Sequence, residues 1–282
     1  VSATPQLLAI SDLHVGHEEN RPIVEGLRPN HPGDWLIVGG DVAETAADIE
    51  WALTLLASRF DQVVWVPGNH ELWTTPRDTL KLRGVERYEH LVQMCRRLGV
   101  LTPEDPFAVW SGEGGPVRIA PLFTLYDYTF RIPGVNSKEE SLAAAYEAGI
   151  VCTDEHMLHP DPYPSIDAWC HARIAATERR LAECDPAVPL VMVNHWPLVR
   201  QPTLVLRYPV FAQWCGTVLT ADWHVRFNTA VSVYGHLHIP RPTVYDGVPF
   251  EEVSLGYPRE WKPRGLPEPL LRPVLRRVRV AP

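Results

Sequence analysis

No stretch of this chain approaches the eighteen or so consecutive apolar residues of a membrane-spanning helix, so a transmembrane protein is not expected. The opening VSATPQLLAIS has neither a basic start nor a signal-like apolar segment, and the expected location is the cytoplasm. Cysteine is sparse and unpatterned. Cys95, Cys152, Cys170, Cys184 and Cys215 are odd in number, scattered and free of CxxC spacing, which argues against a disulfide framework or a thiolate zinc site and for buried reduced thiols. Positive charge is also short: a net charge of -8 disfavours nucleic acid as a partner, because phosphate affinity is built from accumulated Lys and Arg.

The basic residues that do occur are unevenly placed. Residues 259–282 hold Arg259, Lys262, Arg264, Arg272, Arg276, Arg277 and Arg279 against Glu260 and Glu268, a balance of +5, leaving -13 for the rest. Such a segment either docks an acidic partner or is simply a solvated face.

With 282 residues, 45% of them hydrophobic, the chain can bury a large core. Buried strands are expected at QLLAIS, DWLIVGG, QVVWVPG, VPLVMVNHW and AVSVYGHLHI. Helical spacing marks AADIEWALTLLASRF, ERYEHLVQMCRRLG and SIDAWCHARIAATERRLAE, and TVYDGVPFEEVSL reads as a hairpin turning at Asp246-Gly247. Alternating strands and helices at the front imply a parallel sheet, with antiparallel strands beside it. One domain over residues 1–282 is expected, with insertions at about 124–164 and 200–229 passing over the mouth of a site.

The chemistry lies where the apolar runs end. LLAISDLH yields Asp12 and His14, LIVGGD yields Asp41, WVPGNHE yields Asn69 and His70, LVMVNHW yields His195, and VYGHLH yields His236 and His238. Strand ends of an open α/β sheet converge on one rim. So many polar groups gathered there need compensation, and bound cations are the usual remedy. Asp12 and His14, two apart at a strand end, are expected to leave the same face, as are His236 and His238. Singly, each piece reads as a cap or a satisfied core histidine; five in series do not.

SDLH, GGD, GNHE, the isolated His195 and GHLH resemble the five blocks of the calcineurin-like metallophosphoesterases. The resemblance implies a four-layer α/β/β/α sandwich of two mixed sheets, carrying a dinuclear centre. It assigns Asp12, His14 and His238 to one ion, Asn69, His195 and His236 to the other, and Asp41 as the bridge. Two such ions share a water, lower its pKa and stabilise charge on phosphorus, so a metal-bridging hydroxide is the expected nucleophile. His70, which is not a ligand, is expected to protonate the leaving oxygen, with Glu71 supporting from behind. Nitrogen and oxygen donors without thiolate suit manganese, iron or zinc, with manganese or iron favoured. The tyrosine-liganded purple acid phosphatase branch does not fit, because Val42, Ala43 and Glu44 follow Asp41.

Longer blocks, WVPGNHELWTT, TADWH, SVYGHLHIPR and EVSLGYPREW, resemble an actinobacterial branch that strips 4′-phosphopantetheine from holo-acyl carrier protein. Acyl carrier protein is then the expected partner. Arg200, Arg207 and Arg241 become candidate phosphodiester contacts, and the basic C-terminal segment a docking surface. The alternatives are a small-molecule or cyclic-nucleotide phosphodiesterase and a non-catalytic scaffold. His156 and His159 have zinc-like spacing but no partners in sequence, and read as a surface pair.

Overall fold

The computed structural model describes residues 4–275, so Arg276, Arg277 and Arg279 of the basic segment lie outside the described residues. The strands are β1 (Leu7–Ile10), β2 (Trp35–Val38), β3 (Gln62–Trp65), β4 (Val109–Trp110), β5 (Val117–Pro121), β6 (Leu190–Val193), β7 (Thr229–Tyr234), β8 (Arg241–Tyr245), β9 (Val248–Glu252) and β10 (Arg272–Pro273). The helices are α1 (Arg21–Gly26), α2 (Ala46–Ala57), α3 (Asn69–Leu72), α4 (Gly84–Arg97), α5 (Lys138–Glu147), α6 (Asp154–Met157), α7 (Ile166–Ala182), α8 (Trp223–Arg226) and α9 (Pro258–Arg264). Three short 3₁₀ turns lie between Gln201 and Thr220.

The strands form a four-stranded sheet, β10-β1-β2-β3, and a six-stranded sheet, β4-β5-β6-β7-β9-β8. β1, β2 and β3 run parallel, as do β5, β6, β7 and β9, while β10, β4 and β8 pair antiparallel at the edges. Parallel neighbours need crossover connections, and α1 and α2 supply them between the first three strands. Thr45 starts α2 by accepting a hydrogen bond from the Asp48 backbone N–H.

Alternation along apolar strands builds the layers. Leu7, Ala9, Ile37 and Val64 of one sheet pack with Val117, Ile119, Val191, Val193, Val231 and Val233 of the other, forming a seam between the sheets. Their neighbours Leu8, Ile10, Leu36, Val38, Val63 and Trp65 belong to the outer core, with Ile49, Leu53 and Leu56 of α2 and Leu91 and Cys95 of α4. On the far side, Leu190, Met192 and Tyr234 join the same outer core as Trp169, Cys170 and Ile174 of α7. The result is the expected α/β/β/α sandwich. A one-residue register slip would swap every inward and outward side chain, each worth about 1.5–3 kcal/mol of burial, so the register is firmly specified.

The late hairpin forms where expected, joining β8 to β9 through Asp246 (φ 51) and Gly247 (φ 80), the left-handed pair of a type I′ turn. The two sheets come together beyond β1 and β9, where Ser11 bridges Ser254. The ends of β1, β2, β3, β6 and β7 therefore share one rim. No described helix is long and apolar enough to cross a membrane.

Candidate metal centre

The chain leaves its strands at this rim through left-handed backbone. Asp12 (φ 53), His14 (φ 41), Asp41 (φ 53), His236 (φ 68) and His238 (φ 56) all occupy a region that non-glycine residues rarely visit. Such conformations cost on the order of 1–3 kcal/mol each and persist only when the surroundings enforce them. Here a ladder of loop hydrogen bonds does so: Asp12 N to Gly40 O at 2.8 Å, His14 N to Asp41 O at 3.0 Å and Gly235 N to His195 O at 3.0 Å. The period-two argument for Asp12 and His14 is therefore corrected. β1 stops at Ile10, and the two side chains meet because left-handed turns aim them, not because they share an extended face.

The side chains converge in two groups. Asp12, His14, Asp41 and His238 present ligand atoms within 4.8 Å of one another, and so do Asp41, His195 and His236. In the first group, His14 Nε2 lies 3.2 Å from His238 Nε2, and His238 Nε2 lies 2.9 Å from Asp12 Oδ1. In the second, His195 Nε2 lies 3.2 Å from His236 Nδ1, with Asn69 Oδ1 at 3.2 and 3.1 Å from the two nitrogens. Asp41 Oδ2 sits 3.9 Å from His14 Nε2 and 3.4 Å from His195 Nε2, between the groups. Close approach depends on two glycines. A Cβ on Gly68 would fall 2.1 Å from Asp41 Oδ1, and one on Gly235 would fall 2.2 Å from Asp12 Oδ2.

Supporting groups fix these donors from behind. Glu71 accepts from the backbone N–H of Asp41, Val42 and Gly68, at 2.8, 2.9 and 2.9 Å, and so locks the Asp41 and Asn69 loops together. His195 is oriented through Nδ1 toward the Gly39 carbonyl at 2.9 Å, and His238 through Nδ1 toward Glu260 at 2.6 Å. Asp154, fully buried at the start of α6, accepts from Asn69 Nδ2 at 2.9 Å and from Trp73 Nε1 at 2.7 Å. The Asn69 amide is thereby turned so that its oxygen faces the site. His70 belongs to neither group but clusters with His14 and Glu44, its ring centroid 4.6 Å from that of His14: its Nδ1 is held by Glu44 at 2.8 Å, and its Nε2 lies 3.8 Å from Asp41 and 3.2 Å from the Tyr257 hydroxyl. Tyr257 also stacks on His14, with ring centroids 4.3 Å apart.

Sequence reasoning missed Asp154, Tyr257 and Glu260, and used Glu44 only to exclude a branch. Glu44 carried a signal, an acid three residues after Asp41 in GGDVAE; Asp154 carried none, since it reaches the site from the short helix α6, 85 residues beyond Asn69.

Electrostatics show what the cluster lacks. Burial works against the charged form of Asp41, yet His195, His70 and His14 around it hold its pKa well below the carboxylate range. Burial likewise opposes charge on His195 and His238, but neighbouring Asp41 and Asp12 push them up to about 9 and about 10. Burial and the neighbouring His195 push His236 down to about 3. Protons on His195 and His238 thus stand in for positive charge. Facing nitrogens 3.2 Å apart can share one proton at most, whereas a cation satisfies both lone pairs and the carboxylates together. The donor set fits divalent cations.

A model of the calcineurin-like phosphoesterases matches residues 5–240. The chain belongs to that family. The phosphoesterase is 58% identical over 282 residues to the acyl-carrier-protein phosphodiesterase PptH of Mycobacterium tuberculosis, covering all of this chain and 87% of that protein. The crystal structure of phosphopantetheinyl hydrolase (PptH) from Mycobacterium tuberculosis superposes with a TM-score of 0.96 at 58% identity, covering all of both chains. The reaction class of this phosphoesterase is accordingly hydrolysis.

Two cavities open on the phosphoesterase's centre and share His70, Tyr257 and Arg259. One, of about 450 Å³, is lined by Asp41, Asn69, His236 and His238 together with Leu206, Arg207, Tyr208 and Phe211. The other, of about 560 Å³, is lined by His17, Glu19, Glu44, Trp73 and Lys262. Of the three candidate arginines, Arg207 alone lines the first cavity. Arg241 begins the edge strand β8, and Arg200 precedes the first 3₁₀ turn, its carbonyl accepting from Thr203; neither lines the centre. Arg259, expected on a docking segment, lies at the site instead. His156 is exposed and His159 is paired with Arg83, in keeping with a surface pair.

Proposed function

We propose that this phosphoesterase is a dinuclear phosphodiesterase that removes 4′-phosphopantetheine from holo-acyl carrier protein by cleaving the bond between phosphorus and the carrier serine oxygen. The observation that carries the substrate is the identity, over the whole chain, with a phosphodiesterase of that name. Asp12, His14 and His238 would hold one ion and Asn69, His195 and His236 the other, with Asp41 able to serve both. The all-nitrogen-and-oxygen set suits manganese, iron or zinc. Bound there, two cations supply Lewis acidity toward the phosphoryl oxygens and lower the pKa of a water molecule between them.

The chain's own residues do the rest. His70 is the proton donor: Glu44 fixes its Nδ1, leaving Nε2 facing the cavity shared with Asp41 and Tyr257. Burial disfavours its charged form, yet Asp41 and Glu44 outweigh burial and raise its pKa above the ordinary imidazole value, so the imidazolium carries the proton that the departing serine oxygen needs. Arg207 and Arg259 both line that cavity and supply the guanidinium groups that would grip a phosphodiester.

The test is the intact mass of holo-acyl carrier protein after incubation with the enzyme and manganese, with and without chelator. Metal-dependent loss of the phosphopantetheine mass is expected. An unchanged mass beside hydrolysis of an aryl phosphodiester would refuse the carrier substrate and turn attention to small or cyclic phosphodiesters.

A further inference from the structure

Resting on that reading, we propose that Leu204, Val205 and Tyr208, at the outer edge of the 200–229 segment, form the surface on which the acidic carrier protein docks while its prosthetic arm enters the adjoining cavity. Three observations carry this. First, Leu204 is 68% exposed, Val205 48% and Tyr208 47%, three large apolar side chains within five residues. Scattered exposed apolar residues are ordinary, but a cluster on one short segment marks an interface.

Second, the segment lies in the least acidic part of an acidic chain. Between Asp185 and Asp222 there is no aspartate or glutamate, although the chain carries 34 acidic residues. Arg207 is exposed in the middle of the patch and makes no ion pair among the described residues; its guanidinium lies 5.4 Å above the Tyr208 ring. On α9, Lys262 pairs with Glu19, Arg264 donates to the carbonyls of His238 and Leu255, and Arg259 lines the cavity itself. An acidic partner with apolar side chains beside its modified serine matches the 204–208 surface in both respects, whereas α9 offers it no comparable apolar cluster.

Third, the patch is continuous with the site. Leu206, Arg207 and Tyr208 line the same cavity as Asn69, His236 and His238, and Phe211 stacks over His236 with centroids 6.1 Å apart. The platform is preformed: Pro202 and Thr203 are buried, Thr203 bonds back to the Arg200 carbonyl at 2.8 Å, and Gln213 Nε2 donates to the Ser141 carbonyl of α5 at 3.1 Å. A rigid exposed patch loses little entropy on docking.

The experiment compares wild type with the Leu204→Glu/Val205→Glu variant on two substrates, manganese-loaded holo-acyl carrier protein reactions and bis(p-nitrophenyl) phosphate. Neither residue lines the metal cavity. We expect kcat/KM on the carrier to fall about tenfold or more, with the aryl diester unaffected. Unchanged carrier kinetics overturn the proposal, including the case in which the variant dissociates a dimer, since a second copy would then be the occupant. An equal fall on both substrates also overturns it, because the segment would then shape the centre itself. A wild-type enzyme that cleaves the aryl diester but not the carrier defeats the substrate reading, and this surface with it.

Discussion

Replacing Asp154 with alanine separates the contribution of a buried residue on the distant helix α6 from that of the ligands themselves. The carboxylate is fully buried and accepts from Asn69 Nδ2 at 2.9 Å and Trp73 Nε1 at 2.7 Å. Its removal strands the buried Asn69 amide donor, at about 1–3 kcal/mol of folding stability, while the half-buried Trp73 indole N–H can turn to water at a smaller cost. The more specific effect is on Asn69, whose amide is then free to rotate its oxygen away from His195 and His236. Losing a group that orients a ligand lowers metal affinity by about 10–100-fold. The loss should fall on the ion proposed for Asn69, His195 and His236, and spare the one proposed for Asp12, His14 and His238. Metal content after graded chelation, read by mass spectrometry alongside the melting temperature, separates the two effects. Asp154→Asn retains one carbonyl acceptor and should recover part of the affinity. An Asp154→Ala protein that keeps both ions at wild-type affinity would refute the orienting role.

Three further outcomes follow from the same geometry. His70→Asn should keep its metal yet lose about 10²–10⁴-fold in kcat on a carrier serine ester, and far less on p-nitrophenyl diesters, whose leaving group needs no proton; equal losses on both would remove the proton-donor role. Glu44→Gln takes away a charge that raises the His70 pKa, so His70 sheds its proton at lower pH and the alkaline limb of the kcat profile should move down, with the acid limb in place. In the metal-free protein His195 and His238 hold protons up to about pH 9 and about pH 10, and both must lose them to bind metal. Metal affinity should therefore climb with pH from neutrality toward that range, and calorimetry in buffers of different ionisation enthalpy should detect proton release at pH 7.5.

Much of the fold was legible because its signals are local. QLLAI, DWLIV, QVVW and PLVMV are short apolar runs broken by turn residues, and the Asp246-Gly247 hairpin is written in two residues. β4, β5 and β10 were not foreseen. Val109–Trp110 and Arg272–Pro273 are two-residue strands made by pairing with a neighbour, and β5 ends in Pro121, which breaks the pattern that would announce it. At the site, the residues at the ends of strong strands were readable. Asp154, Tyr257 and Glu260 were not, because they meet their partners across 85, 187 and 22 residues of chain, through tertiary packing of short helices that no periodicity encodes. The period-two argument for Asp12 and His14 reached the right pairing by the wrong geometry, since left-handed backbone leaves no periodic trace.

The shared rim also has a mechanical meaning. Asp12, His14, Asp41 and Asn69 extend from the β1–β2–β3 sheet, while His195, His236 and His238 extend from the other. Each proposed ion draws donors from both, so the pair would act as rivets through the open end of a sandwich whose interior seam is apolar. Starving the enzyme of metal would then do more than stop turnover: it would remove ties between the sheets at the end where the substrate enters, leaving the Ser11–Ser254 bridge and its neighbouring backbone hydrogen bonds to hold that rim.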